Sequence, residues 1–154
     1  MISFPADAGN PQPRRSASLI DVLTVSPLAM AYLGDAIFEL YVRDYLVTRH
    51  EISVNKLHHK AIDYVKAASQ AKIVHRLSDL LTEEEQWFIR RGRNQKSNAP
   101  KNADMLDYRY ATGFEALIGF LYYQHKTDRM LQIMEKGVQI MDNWHEGEKT
   151  DESY

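Results

Sequence analysis

Apolar residues recur at three- and four-residue intervals through most of this chain, and no convincing run of alternating apolar and polar positions interrupts them. That pattern predicts helices throughout. The first is expected from Ser26-Pro27, a capping residue followed by proline at the first helical position, to about Val47. A second runs from about Ser53 to Leu77, with Leu57, Ala61, Tyr64, Val65 and Ala68 as its apolar positions. Thr82 and Glu85 form a capping box that opens a third. It is expected to end at Arg90-Arg91-Gly92, with cations in the last turn and glycine at a left-handed terminus. A loop from Arg93 to about Ala103 leads to a fourth helix over roughly Asp104 to His125. A fifth starts near Thr127 and carries Met130, Met134, Val138 and Met141, which read as core filler. The fold class is all-α, a helical bundle.

Composition narrows the function. At 154 residues, 44% hydrophobic and 26% charged, the chain suits one globular domain. The absence of cysteine excludes disulfides, a thiolate nucleophile and any Cys-ligated metal. The stretch rich in Pro, Ser and Gly reads as a flexible leader over residues 1–17, followed by a domain over 18–145 and a frayed tail over 146–154. The longest uncharged run, Val22 to Gly34, falls short of the ~20 apolar residues that span a bilayer. No secretory signal is legible in Met1 to Pro13, so a cytoplasmic protein without a membrane segment is expected. A net charge of −2 means that any grip on nucleic acid must come from local clustering of charge.

The placement of acids carries the most information. Between Pro27 and Val42 the only charges are Asp35 and Glu39, and Asp35 shares a helical stripe with Leu28, Ala31, Phe38 and Val42. Between Ala111 and Tyr123 the only charge is Glu115, on a helix apolar almost all round, which belongs in a core. A buried carboxylate costs several kcal/mol unless paired, hydrogen-bonded or bound to metal. Gly34 adjoins Asp35, and Gly113 and Gly119 flank Glu115, so a partner helix, a metal or a phosphate can approach both acids closely. We expect a shared divalent-cation site where the two helices cross. The alternative is two structural ion pairs, with Arg109 or Arg43 as a partner for Asp35.

From Gln86 to Ala103 there is no acid, while Arg90, Arg91, Arg93, Lys96 and Lys101 are interleaved with Asn94, Gln95, Ser97, Asn98 and Asn102. Those donors suit phosphate and ribose contacts, and Lys56, His59 and Lys60 extend the basic edge. A solvated face explains either cluster taken alone. His58 and His59 are adjacent and cannot chelate one metal as an i, i+4 pair does, and there is no Glu-x-x-His motif, P-loop or dinucleotide fingerprint.

Tyr32-Leu33-Gly34-Asp35-Ala36 resembles the core of the ribonuclease III signature helix, and Phe114-Glu115-Ala116-Leu117-Ile118-Gly119 resembles that family's second acidic helix. The order, the separation and the basic loop between them agree, and the similarity covers roughly Pro27 to Tyr123, including Arg91-Gly92-Arg93-Asn94 and Tyr108-Arg109-Tyr110. Three family acids are missing: their positions hold Leu28, Ala31 and Thr112. The length also leaves no room for a double-stranded-RNA-binding domain, so the chain resembles a stripped-down subgroup of the family.

The resemblance implies a ribonuclease III endonuclease-like helical homodimer that cleaves double-stranded RNA with Mg²⁺, leaving 5′ phosphate and 3′ hydroxyl ends. It further implies maturation of the 23S ribosomal RNA precursor, and leaves open a ribosomal protein that presents the substrate. Asp35 and Glu115 carry over as catalytic and metal-binding residues, with Glu39, Asp104 and Asp107 as candidate substitutes for the missing acids. Weaker metal affinity than in the larger relatives is expected. Arg91, Arg93, Asn94 and Lys96 are the RNA-binding candidates, and Tyr32 and Phe38 the candidates for a subunit interface. The rival is a non-catalytic RNA- or ribosome-binding module that works by positioning alone.

Overall fold

The computed structural model describes residues 19–50, 52–96 and 98–151. Among them are seven α-helices and one 3₁₀ turn, and no strand. The helices are α1 Leu19–Thr24, α2 Pro27–Arg49, α3 Val54–Val65, α4 Ala67–Leu77, α5 Glu83–Arg93, α6 Met105–Tyr123 and α7 Thr127–Asp151, with the 3₁₀ turn at Ser78–Leu80 between α4 and α5. The all-α expectation holds. The proposed leader lies outside the described residues. Across 146–151, where a frayed tail was expected, α7 continues as helix.

Local chemistry accounts for most boundaries. Ser26 caps α2 by accepting from the Ala29 N–H at 3.4 Å, with Pro27 at the first position. The capping box forms as expected: Glu85 N–H donates to Thr82 Oγ1 at 3.1 Å, and Thr82 N–H donates to Glu85 Oε2 at 2.9 Å. Glu85 also receives a bidentate bond from Arg129, at 2.7 and 2.9 Å, which ties α7 to the start of α5. Asp104 caps α6 by accepting from the Leu106 and Asp107 N–H groups, both at 2.9 Å.

The core is organised around α6, whose residues Ala111–Phe114 and Ala116–Leu121 are buried. Phe38 of α2 meets Phe114 edge-on at 5.1 Å, and Phe88 of α5 stacks on Phe120 at 4.2 Å. Met130, Met134 and Met141 are fully buried, which confirms their role as filler.

Three expectations need correction. The single helical stretch from Ser53 to Leu77 is broken at Lys66, whose ψ of 153° is extended, so α3 and α4 are separate helices. Ser69 and Gln70 stabilise the break: Ser69 Oγ donates to the Asp63 carbonyl at 2.6 Å and Gln70 Nε2 to the Val65 carbonyl at 2.8 Å. Gly92 is not a left-handed terminus. It is buried inside α5, whose C-cap is Asn94, and an added Cβ would stand 2.9 Å from both the Gly113 Cα and the Thr112 carbonyl oxygen. Its role is close helix packing. Finally, Phe38 is fully buried within the subunit and can contribute nothing to an interface, whereas Tyr32 is 85% exposed.

Candidate active site

Two glycines bring α2 and α6 into backbone contact. A Cβ built on Gly34 would lie 1.8 Å from the Glu115 carbonyl oxygen, and one on Gly119 would lie 2.0 Å from the Met30 carbonyl oxygen. Of the three partners that these glycines admit, the one they meet is the partner helix. Asp35, next to Gly34, therefore comes level with Glu115, and their carboxyl groups are in hydrogen-bond contact.

The two acids are not equally buried. Asp35 was expected in the core but is exposed, because Gly34 and Phe38, not Asp35, lie on the line of α2 that faces α6. Glu115 is half-buried, on a turn whose neighbours Phe114 and Ala116 are fully buried. Burial first, and the Asp35 charge second, push the Glu115 carboxyl up to about 8, although the bond from Gln70 pulls it down. Asp35 is exposed as a residue but its carboxyl is partly desolvated, and that desolvation, then the nearby Glu39 charge, raises it, partly offset by its bond with Glu115. Both carboxyls are thus pushed upward, Glu115 the more strongly, which favours a proton shared between them.

The ion-pair alternative fails on this geometry. Among the described residues no salt bridge uses Asp35 or Glu115. Arg43, one of the expected partners, pairs instead with Glu39 at 3.0 Å. Two adjoining carboxyls without a cationic side chain, one open to solvent, suit a hard divalent cation, which can replace the shared proton. No group of three or more ligating side chains gathers among the described residues.

The candidate substitutes do not complete the set. Asp104 is occupied as the α6 cap, and Asp107 lies two helical turns before Glu115, about 12 Å along the axis. Thr112, one turn before Glu115, donates its hydroxyl to the Tyr108 carbonyl at 3.0 Å. Glu39 is close enough to act on Asp35 through charge alone.

Gln70 is a residue that the sequence reading missed. Its Nε2 donates to Glu115 Oε1 at 3.0 Å while it holds the Val65 carbonyl, and the side chain is 1% exposed. The signal was legible: Gln70 is a polar residue on a stripe of α4 shared with Ile73, Val74 and Leu77, the same anomaly that singled out Glu115.

The RNA-binding candidates separate into two groups. Arg91 turns inward, with its guanidinium 4.8 Å from the Trp87 ring centre and its Nη2 donating to the Leu23 carbonyl at 3.4 Å. Arg93 points the other way, over the Tyr110 ring at 5.5 Å, and the Tyr110 ring lies 4.5 Å from that of His75, tilted by 60°. Asn94, Lys96, Asn98, Lys101 and Asn102 are exposed. Because Gly92 packs on residues 112–116 of α6, the basic segment leaves the bundle beside the turn that carries Glu115.

An all-α domain with paired acids on two crossing helices and a basic loop beside them defines a class. The Ribonuclease III domain profile matches residues 28–126, which span both acids and the loop, and the chain belongs to the ribonuclease III family. It is 48% identical over 122 residues to a Mini-ribonuclease 3 of Thermoanaerobacter, covering 79% of this chain and 86% of that one. To the Mini-ribonuclease 3 of Symbiobacterium thermophilum it is 45% identical, covering 80% and 96%. A crystal structure of a Fusobacterium nucleatum protein superposes with a TM-score of 0.69 at 29% identity, over 77% of this chain and 96% of that one. The subgroup that the chain resembles is thus the Mini-ribonuclease 3 branch, and the enzyme is an endoribonuclease of ribonuclease III type. Among the described residues no helix is long and apolar enough to cross a membrane.

Proposed function

We propose that this protein is a Mg²⁺-dependent endonuclease for double-stranded RNA that acts in the cytoplasm to mature the ends of the 23S ribosomal RNA precursor. The observation that carries the reading is the unneutralised Asp35–Glu115 pair at the glycine crossing. These two residues would hold the cation, which when bound supplies charge stabilisation at the scissile phosphate and a more acidic water. Asp35, at the exposed rim, is the acid that approaching substrate meets first, while Glu115 sits behind it on the rigid α6. Arg93, Asn94 and Lys96 orient the duplex through phosphate and ribose contacts, since A-form RNA offers mainly backbone and 2′-hydroxyls to a protein surface.

Two offset cuts require two sites, supplied by a homodimer. Tyr32, Leu28, Leu40 and Val47, all exposed on α2, support that assembly. A ribosomal protein that presents the RNA is compatible with the open site.

Incubating wild type and Asp35→Asn with a long RNA duplex tests the reading. The wild type should cut only with Mg²⁺, while the variant binds without cutting. Cleavage by Asp35→Asn at near wild-type rate would sink the assignment, and binding without cutting by the wild type is what the positioning-module alternative requires. For the loop, Arg93→Ala with Lys96→Ala should weaken RNA binding and lower the salt slope by ~1 for each phosphate that the variant no longer neutralises. Arg91→Ala should leave that slope unchanged, because Arg91 is engaged with Trp87 and Leu23.

A further inference from the structure

Gln70 occupies a position that burial by itself does not explain. It is 1% exposed in a bundle whose other buried positions are nearly all apolar. A glutamine placed only to satisfy the broken turn between α3 and α4 would need one bond, to the Val65 carbonyl. Its amide instead divides both of its N–H donors between that carbonyl at 2.8 Å and Glu115 Oε1 at 3.0 Å, across 45 residues of sequence. The amide oxygen, Oε1, is buried without a hydrogen-bond partner, so the side chain accepts an unsatisfied acceptor in order to aim both donors.

The anchor is rigid on both sides. Val65 is the last residue of α3, fixed by the Lys66 break and by Ser69 Oγ on the Asp63 carbonyl. Gln70 stands in the first turn and a half of α4, with Ala71, Ile73 and Val74 buried around it. One oxygen of Glu115 is thereby committed to a fixed donor, and the carboxyl plane has little freedom to rotate. Among the described residues no comparable donor is seen for Asp35, whose side-chain hydrogen bond is with Glu115 itself. With three family acids replaced by Leu28, Ala31 and Thr112, the burden of orienting the remaining pair falls on neighbours that do not touch the substrate.

We infer that Gln70 is a positioning residue for the acidic pair: its amide, braced on the Val65 carbonyl, sets the orientation in which Glu115 meets a divalent cation. This rests on the two-carboxylate reading given above and names how the site keeps its shape with so few ligands. Groups that orient a metal ligand from behind typically change metal affinity ~10-fold or more when removed.

The test measures Mn²⁺ binding by electron paramagnetic resonance on the RNA-free protein, beside thermal melting and cleavage kinetics. Gln70→Met keeps the length of the side chain and removes both donors. It should weaken Mn²⁺ binding ~10-fold and lower kcat, with KM for the duplex unchanged. Ser69→Ala is the control. It loosens the same helix break without touching Glu115, and should lower the melting temperature while leaving Mn²⁺ affinity as in the wild type. Should Gln70→Met not fold, Gln70→Asn, which draws the amide back by one methylene, should give a smaller loss in the same direction.

If Glu115→Gln weakens Mn²⁺ binding but neither Gln70 variant does, Gln70 is structural only and the inference is overturned while the site stands. If Asp35→Asn and Glu115→Gln also leave Mn²⁺ binding unchanged, the two-carboxylate site itself falls, and the role of Gln70 with it.

Discussion

Glu115→Gln is expected to abolish cleavage and, without metal, to make the protein more stable than the wild type above neutral pH. The first effect follows from removing one of the two carboxylates proposed to hold the cation. Several kcal/mol of charge stabilisation, at tenfold per ~1.4 kcal/mol, predict a rate loss of ~10³-fold or more. The second follows from linkage. Glu115 is raised from 4.5 to about 8 in the folded state, chiefly by burial and then by Asp35. A carboxyl raised in this way contributes fully to stability below its unfolded value and loses that contribution as pH rises through the folded one.

The metal-free wild type should therefore weaken between about pH 4.5 and pH 8. The glutamine amide has no charge to desolvate. It can still accept from Gln70 and donate to Asp35, so the relative gain should reach on the order of 2–4 kcal/mol at the alkaline end. Urea melts in EDTA at pH 5 and pH 8.5 measure it, and Mg²⁺ should restore stability at pH 8.5 to the wild type only. Identical pH dependence in both proteins would show that Glu115 is not held under strain.

Gly34→Ala is the second large effect. The new methyl would stand 1.8 Å from the Glu115 carbonyl oxygen and 2.9 Å from the Gly119 nitrogen, both backbone atoms of a buried helix. No rotamer change can relieve that overlap, so α2 and α6 must part. Overpacking of this kind exceeds the usual 1–3 kcal/mol, and a loss above ~3 kcal/mol corresponds to a fall in melting temperature of roughly 10 °C for a chain of this size. The same separation pulls Asp35 from Glu115, so residual folded protein should be inactive. Gly147→Ala supplies the contrast. Nothing lies within 4 Å of its added methyl on the exposed end of α7, and helix propensity favours alanine there by ~1 kcal/mol. A Gly34→Ala protein that melts like the wild type would refute the tight crossing.

The helix starts at Ser26, Thr82 and Asp104 were legible because capping is local: a short side chain bonds an N–H two or three residues on. The break at Lys66 was not. Lysine has no local reason to leave a helix, and the conformation persists because Ser69 and Gln70 satisfy the carbonyls that it frees. Arg91 and Arg93 were equivalent in sequence, yet residues two apart on a helix point ~200° from one another, and only packing decides which meets Trp87 and which meets Tyr110. Tyr32 and Phe38 differ in the same way, one exposed and one in the core.

From the amino-acid order alone came the all-α class, two lone acids beside glycines on apolar helices, and a loop free of acids. Those are matters of composition over one or two turns, where charge and hydropathy are read directly. Only the tertiary structure decided that Asp35 stands at the rim with Glu115 behind it, that Gly34 meets a helix, and that Gln70 reaches Glu115. Each of these is a meeting between residues tens of positions apart, governed by how closely backbones can approach and by which buried donors must find acceptors.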